Sequence, residues 1–431
     1  MKLIRTKGRG AEQAAATLAA LERRGGAALN TVLPAVTRIV NDVRRKGDKA
    51  LFKYAAEFDG LTDASLVRIA PDEMAAAWKS ISLEMRKALE TAARQIRGFA
   101  EAQMPESWSQ TSSTGLTTSQ LVRPIGSVGC YVPSGRHPLP STLLMTVLPA
   151  QVAGVARIVA VSPKPAPETL AAAHMLGITE FYRLGGAHAV AALAYGTATI
   201  ARVDKIVGPG NLSVTAAKRL VSFDCGIDML AGPTEIVVTS DKGNAAEIAS
   251  DLVAQAEHDP EAVAIFITTR ADLARDVVAD VKQRIKSNPV AKAAITRNGI
   301  VILAADAEEA QAITNHLAPE HLTVDSMRDV EWVQNAGSVF VGRWSAQPMG
   351  DYISGPNHTL PTGGTARVRG GLSVNDFVKL ITVQEYSAAA MRDLGPKAVL
   401  LAEAEGLVGH AEAIRVRLKS RGKKAEGSNR D

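Results

Sequence analysis

The chain reads as an α/β protein: two parallel-sheet modules in series, with a helical N-terminal region before them and a helical C-terminal tail after them. Three observations lead to this. From Ile125 to Leu317 strand-like apolar runs alternate with helix-period stretches, the rhythm of parallel strands covered by helices. The rhythm breaks at Ala231-Gly-Pro233 and then resumes, so there are two modules rather than one. At 431 residues the chain exceeds a single ordinary core. Hydrophobic residues at 46% and charged residues at 22% suit a globular protein, and aromatics at 4% mean cores built from Ala, Val, Leu and Ile.

The first hundred residues read as helices. Ala11 to Arg24 is Ala-rich with a Leu18/Leu21 stripe, Ala35 to Gly47 repeats apolar residues near helical spacing, and Ala75 to Met104 is a long periodic stretch. The polar segment Ser107 to Gln120 marks a boundary. The first module then runs as strand Ile125–Val132, helix Ser141–Val152, strand Arg157–Val161, helix Thr169–Leu176, strand Glu180–Leu184, helix Ala187–Tyr195, strand Lys205–Val207 and helix Leu212–Val221. The second runs as strand Glu235–Thr239, helix Ala245–His258, strand Ala264–Thr268, helix Ala271–Ile285, strand Ile300–Leu303, helix Ala307–Leu317 and a short strand Ser338–Val341. From Ser373 to about Lys419 the pattern is helical again.

Two cysteines, Cys130 and Cys225, cannot form a disulfide framework, and both lie in apolar surroundings that suit small core residues. The most apolar stretch, Ser141 to Val161, is interrupted by Pro149, Gln151 and Arg157, so no membrane span is expected. Met1 to Arg9 is basic without an apolar segment, so no signal peptide is read and a cytoplasmic location is expected. Arg415, Arg417, Lys419, Arg421, Lys423 and Lys424 crowd the tail. With no aromatics between them they suit a helix end running into solvent better than a nucleic-acid patch.

Four places carry chemistry. Gln255 and His258 lie roughly 60° apart on one helix face, one turn apart. Two donors on one face can hold a metal, yet a zinc site needs about four ligands. Alone, the pair reads more simply as a polar helix end. Glu320-His321 sets an acid beside an imidazole, either a general acid–base pair or a solvated loop pair. Gly350 to His358 is a loop dense in turn formers, with Asp351 and His358 as candidate ligands. Glu405 and His410 sit on an apparent helix, Leu400 to Leu418. The fingerprint G-x-G-x-x-G is absent; Gly185-Gly186 and Gly208-Pro-Gly-Asn211 are strand-to-helix turns whose amides could meet a pyrophosphate.

Taken in order, these motifs resemble the histidinol dehydrogenase family from about Asp48 to Leu418. The signatures are Cys130-Tyr-Val-Pro133, Val207-Gly-Pro-Gly-Asn211, Ile227-Asp-Met-Leu-Ala-Gly-Pro-Thr-Glu235, Gln255-Ala-Glu-His-Asp259, Ala318-Pro-Glu-His-Leu322, Gly350-Asp-Tyr with Asn357-His-Thr-Leu-Pro-Thr362, and Glu405-Gly-Leu with His410. The resemblance implies two incomplete Rossmann-like modules and a C-terminal tail exchanged between the subunits of a homodimer. It implies an N-terminal arm over residues 1–25, a zinc-side globule over 26–123 plus 234–372, an NAD-side globule over 124–233 and the tail over 373–431. It implies one Zn2+ per subunit, held by Gln255, His258, Asp351 and His410, the last from the partner's tail. Glu320 and His321 would be catalytic. Thr234, Gln255, His258, His321, Asp351, His358, Glu405 and His410 would contact substrate, and Tyr131, His188 and Asn211 would contact NAD. The implied reaction oxidises L-histidinol to L-histidine through the aldehyde, using two NAD, with no nucleic-acid or membrane partner.

The chain departs from the family pattern in places. His188 stands where Gln is usual, Ser213 where an aromatic is usual, and Thr234 where Ser is usual; Ser134-Gly-Arg-His-Pro138 adds a cation, Arg136. None of these positions is itself an implied zinc ligand or a member of the Glu–His pair. The alternative reading is a relative on the same fold that oxidises another small polar alcohol or diol.

Overall fold

The computed structural model describes residues 1–22, 24, 29–134 and 138–419. Arg136, His137 and the basic residues Arg421, Lys423 and Lys424 lie outside the described residues. The chain divides into two compact units: residues 1–104 with 124–377, and residues 105–123 with those from 378 onward.

The larger unit holds two parallel sheets, as the alternating pattern predicts. One has six strands in the order Lys2–Arg5, Gly299–Leu303, Val263–Thr268, Glu235–Thr239, His321–Val324, Ser338–Val341, every pair parallel. Its central strand, Val263–Thr268, is buried along its whole length, because helices cover both faces. One face packs on helices Ala245–Ala256, Ala271–Arg284 and Pro289–Asn298. The other packs on Ala11–Glu22 and Ala307–Leu317. The second sheet has five parallel strands: Glu180–Tyr182, Arg157–Val161, Ser127–Tyr131, Lys205–Val207 and Gly226–Ile227.

Several elements differ from the sequence reading. Lys2–Arg5, expected within a helical region, is an edge strand paired with Gly299–Leu303; only Ile4 of its four residues is buried, too short a pattern to show a period. The long helix expected over Ala75 to Met104 is two, Pro71–Ser80 and Leu83–Ala102, because Ser82 caps the second by accepting the Met85 amide at 3.1 Å. Helix Leu29–Lys46 buries Val36, Val40 and Val43 in one core with Val190, Ala216 and Val221 of the five-stranded module.

The smaller unit carries a three-stranded sheet in the order Val378–Tyr386, Leu116–Pro124, Trp108–Thr111. By sequence, residues 107–120 form a polar boundary and residues from 373 a helical stretch. Both form strands here because Thr, Val and Ile favour extended backbone, while polar, exposed faces hide the two-residue period. Two helices follow, Ala388–Ala404 and Val408–Lys419, where one was expected. Gly406, with φ +74°, makes the turn between them. Among the described residues no helix is long and apolar enough to cross a membrane.

Candidate active site

The chemistry gathers at the amino edge of the six-stranded sheet, where the chain order reverses between two neighbouring strands. Glu235 opens one strand and His321 opens the next, in parallel register. Open α/β sheets usually bind ligands at the carboxyl edge of such a reversal; here the polar cluster lies at the other edge. The approach to it is built by the backbone. Helix Ala307–Leu317 ends at Ala318, the one non-glycine with positive φ (+47°) among the described residues. Pro319 then delivers Glu320 and His321 into the sheet.

Glu320 and His321 are buried, at 6% and 3% exposure, so the solvated-pair reading fails. Glu320 Oε2 accepts the Thr234 hydroxyl at 2.6 Å and the Glu235 amide at 2.8 Å, and lies 3.6 Å from His321 Nδ1. His321 Nδ1 lies 3.1 Å from the Glu235 carbonyl. A carbonyl can only accept, so this partner calls for a proton on Nδ1, and in the neutral ring Nε2 is then the basic atom. Nε2 faces Asp351 Oδ1 at 3.7 Å. Burial opposes charge on His321, but Glu320 and Asp351 override it and raise its pKa to about 10.

Asp351 comes from a short helix, Gln347–Tyr352, where the sequence suggested only loop. Gly350 has no side chain to strike the Phe340 ring, which lets this helix lie close to the strand edge. Gln347 Nε2 donates to Asp351 Oδ2 at 3.0 Å, and the Asp351 carbonyl lies 2.8 Å from His358 Nδ1. Burial pushes the Asp351 carboxyl up, yet His321, His358 and His258 together hold it below the usual carboxylate range. Burial keeps His358 below the usual imidazole value; its Nε2 lies 3.2 Å from the Thr142 hydroxyl, tying the loop to helix Pro140–Ala153. A cavity of about 350 Å³ opens beside His321, Phe340, Trp344, Met349, Asp351 and His358.

Gln255, 1% exposed, sits in the last turn of helix Ala245–Ala256. Its Nε2 donates to Thr234 and lies 3.4 Å from His321 Nδ1, while its Oε1 is buried with no hydrogen-bond partner. A buried, unpaired carboxamide oxygen is costly unless something else takes it up. A cation would do so, and with the Asp351 carboxylate and the exposed His258 imidazole the donor types suit zinc. Among the described residues no three His, Cys, Asp or Glu side chains form a metal site by themselves. Glu405 and His410 belong to the smaller unit. Both are exposed, Glu405 capping one helix and His410 in the first turn of the next, not on one helix as expected.

The expected NAD residues flank the carboxyl edge of the five-stranded sheet. Tyr131 ends its strand; burial pushes its phenol up to about 12, and its hydroxyl accepts the Gly186 amide at 3.0 Å. Asn211 is exposed, and its Oδ1 caps helix Leu212–Val221 by accepting the Ser213 and Val214 amides at 3.1 Å. His188 is enclosed, and its Nδ1 is buried with no hydrogen-bond partner. It is 1% exposed, and its Nε2 is taken by Asp59 at 2.8 Å. Asp59 also accepts the Gly185 amide at 3.1 Å, so His188 braces the Gly185–Gly186 turn from inside.

Sequence reasoning missed Asp59, Glu235, Gln347 and Arg24. Glu235 is buried and paired with Arg24 at 2.5 Å; burial pushes its carboxyl up to about 7. A lone acid opening the strand-like run Glu-Ile-Val-Val-Thr was its available signal. Nothing local marks Asp59 or Arg24, whose partners lie 129 and 211 residues away.

Fold and site together define a parallel α/β enzyme with a buried carboxylate–imidazole cluster whose groups suit acid–base chemistry. A family model for histidinol dehydrogenase matches residues 22–418, and the chain belongs to that family. It is 44% identical over 398 residues to the histidinol dehydrogenase of Bacillus thuringiensis subsp. konkukian, covering 90% of this chain and 92% of that one. It is 45% identical over 404 residues to that of Methanothermobacter thermautotrophicus, covering 91% and 94%. The crystal structure of histidinol dehydrogenase from Elizabethkingia anophelis superposes with a TM-score of 0.90 at 34% identity, covering 97% of this chain and 98% of that one.

Proposed function

We propose that the protein oxidises L-histidinol to L-histidine through L-histidinaldehyde, with two NAD consumed, at the end of histidine biosynthesis in the cytoplasm. The observation that carries this is the convergence of Glu320, His321, Gln255 and Asp351 in one buried cluster of a histidinol dehydrogenase family member. Gln255, His258 and Asp351, with His410 of the partner subunit's tail, would hold one Zn2+ per subunit, so the working enzyme is a homodimer. Tyr131 and Asn211 would face NAD, with His188 acting through the turn it braces. When bound, zinc would fix the substrate's nitrogen atoms, and NAD would accept a hydride in each half of the reaction.

The chain's own residues do the proton work. In the neutral ring His321 Nε2 takes the alcohol proton while Nδ1–H stays on the Glu235 carbonyl; a cation held by Asp351 would relieve the carboxylate pull that otherwise keeps the ring protonated. Glu320, fixed through Oε2 by Thr234 and the Glu235 amide, uses Oε1 to take a proton from the water that adds to the aldehyde. The hydrated aldehyde would then lose a hydride from its carbon to the second NAD and a hydroxyl proton to His321 Nε2, which together give the acid. His358, with Glu405 of the partner's tail, would orient the histidinol end of the substrate. Burial of the pair keeps bulk water off the aldehyde between the two halves. NADH formation with L-histidinol against a panel of amino alcohols and diols tests the assignment. A clear preference for histidinol supports it, and activity confined to a diol supports the alternative substrate class.

A further inference from the structure

One buried ion pair takes no part in that chemistry. Lys218, on helix Leu212–Val221, meets Asp228, just beyond strand Gly226–Ile227, at 2.5 Å. Their side chains are 4% and 0% exposed. For a pair this buried the lost hydration can exceed what the attraction returns, and apolar residues of the same size often serve stability as well or better. Stability alone is therefore a weak reason for it.

What the pair grips is the turn after strand Lys205–Val207. Lys218 Nζ donates to the Gly208 carbonyl at 2.6 Å, and Asp228 Oδ2 accepts the Gly208 amide at 2.7 Å. Both polar groups of one glycine are thus held by the two members of one ion pair. The remaining Asp228 oxygen also accepts the Met229 amide at 2.6 Å. Gly208 has φ +109°, and any side chain there would collide with the Tyr131 carbonyl. The grip presses the turn against the end of the neighbouring strand, at the carboxyl-edge point where the chain order of the five-stranded sheet reverses. Three residues later Asn211 caps the helix that carries Lys218, so the turn is anchored at both ends.

We infer that Lys218 and Asp228 are positioning residues for the dinucleotide: their ion pair holds the Gly208–Asn211 turn in its binding shape before NAD arrives. This rests on the proposed NAD-dependent reaction and adds to it the device that pre-forms the cofactor side. A preformed turn spares the ordering cost on binding, so the effect falls on NAD affinity and not on histidinol.

The test uses the zinc-loaded full-length enzyme and calorimetric titration with NAD and, separately, with L-histidinol. The double variant K218M/D228N removes both charges together, so no uncompensated charge is left buried. The expected result is NAD affinity weakened by about tenfold or more, histidinol affinity within about twofold, and a melting temperature close to wild type. Equal loss of both affinities, or unchanged NAD affinity in the folded variant, would overturn the inference. Hydrogen exchange on the wild type needs no variant. The Gly208 amide should be slow without NAD; fast exchange that slows only when NAD is added overturns a preformed turn. A wild type that binds no NAD at all overturns the functional reading itself, and the inference with it.

Discussion

Replacing Glu320 by Gln separates the two halves of the reaction. Oε2 of Glu320 is already committed to the Thr234 hydroxyl at 2.6 Å and the Glu235 amide at 2.8 Å. Oε1 is the atom left to take a proton from water. Glutamine keeps the shape and one acceptor but cannot serve as a base. General-base assistance contributes about 10²–10⁴-fold, which is about 3–5 kcal/mol of barrier. That loss should fall on the aldehyde-to-acid half. Alcohol oxidation, for which His321 Nε2 is the proposed base, should fall far less. The fold should tolerate the change: the two hydrogen bonds to Oε2 lose charge assistance and His321 loses one charge partner, but repulsion with the buried Glu235 carboxylate is relieved. The assay compares single-turnover NADH formation from L-histidinol with turnover of supplied L-histidinaldehyde, and traps released aldehyde with a carbonyl reagent. Unchanged aldehyde oxidation, or an equal loss in both halves, would refute the role given to Glu320.

Two further outcomes follow from the same geometry. His258→Ala and His410→Ala should each abolish stoichiometric zinc by metal analysis of the purified enzyme, and full retention in either would remove that residue from the ligand set. Asp251 has its carboxyl pushed up to about 6 by burial and by Glu247. Its folded value lies above the ordinary value of about 4, so ionisation costs stability above about pH 6 and nothing below about pH 4. The two-unit shift sets a ceiling of about 3 kcal/mol, and partial exposure screens it to about 1 kcal/mol. Asp251→Asn should therefore melt above wild type at pH 8 and converge with it near pH 4; a lower melting temperature at pH 8 would contradict this.

The strands and helices of the two parallel modules were legible because their apolar periods are complete within each element. Elements whose pairing partner is distant were not. Lys2–Arg5 becomes a strand only because Gly299–Leu303 is there to receive it. Trp108–Thr111, exposed at every residue, offers no alternation to read. At the site, local motifs marked Glu320, His321, Gln255 and Asp351, but not what holds them. The Glu235 amide and Thr234 hydroxyl that fix Glu320 act across 85 and 86 residues. A strand residue contributes its backbone whatever its side chain, so no residue type announces that role. His188 shows the converse case. Its identity suggested a cofactor donor, and only the fold reveals Asp59 already bound to its ring.

The most direct test of the account is stoichiometric. Purified enzyme with its metal content measured is given limiting L-histidinol and excess NAD, and NADH formed is divided by histidinol consumed. Two NADH per histidinol, with histidine as product, is the predicted result. One NADH per histidinol with free aldehyde, or none, would contradict the claim that one buried Glu–His cluster carries both oxidations.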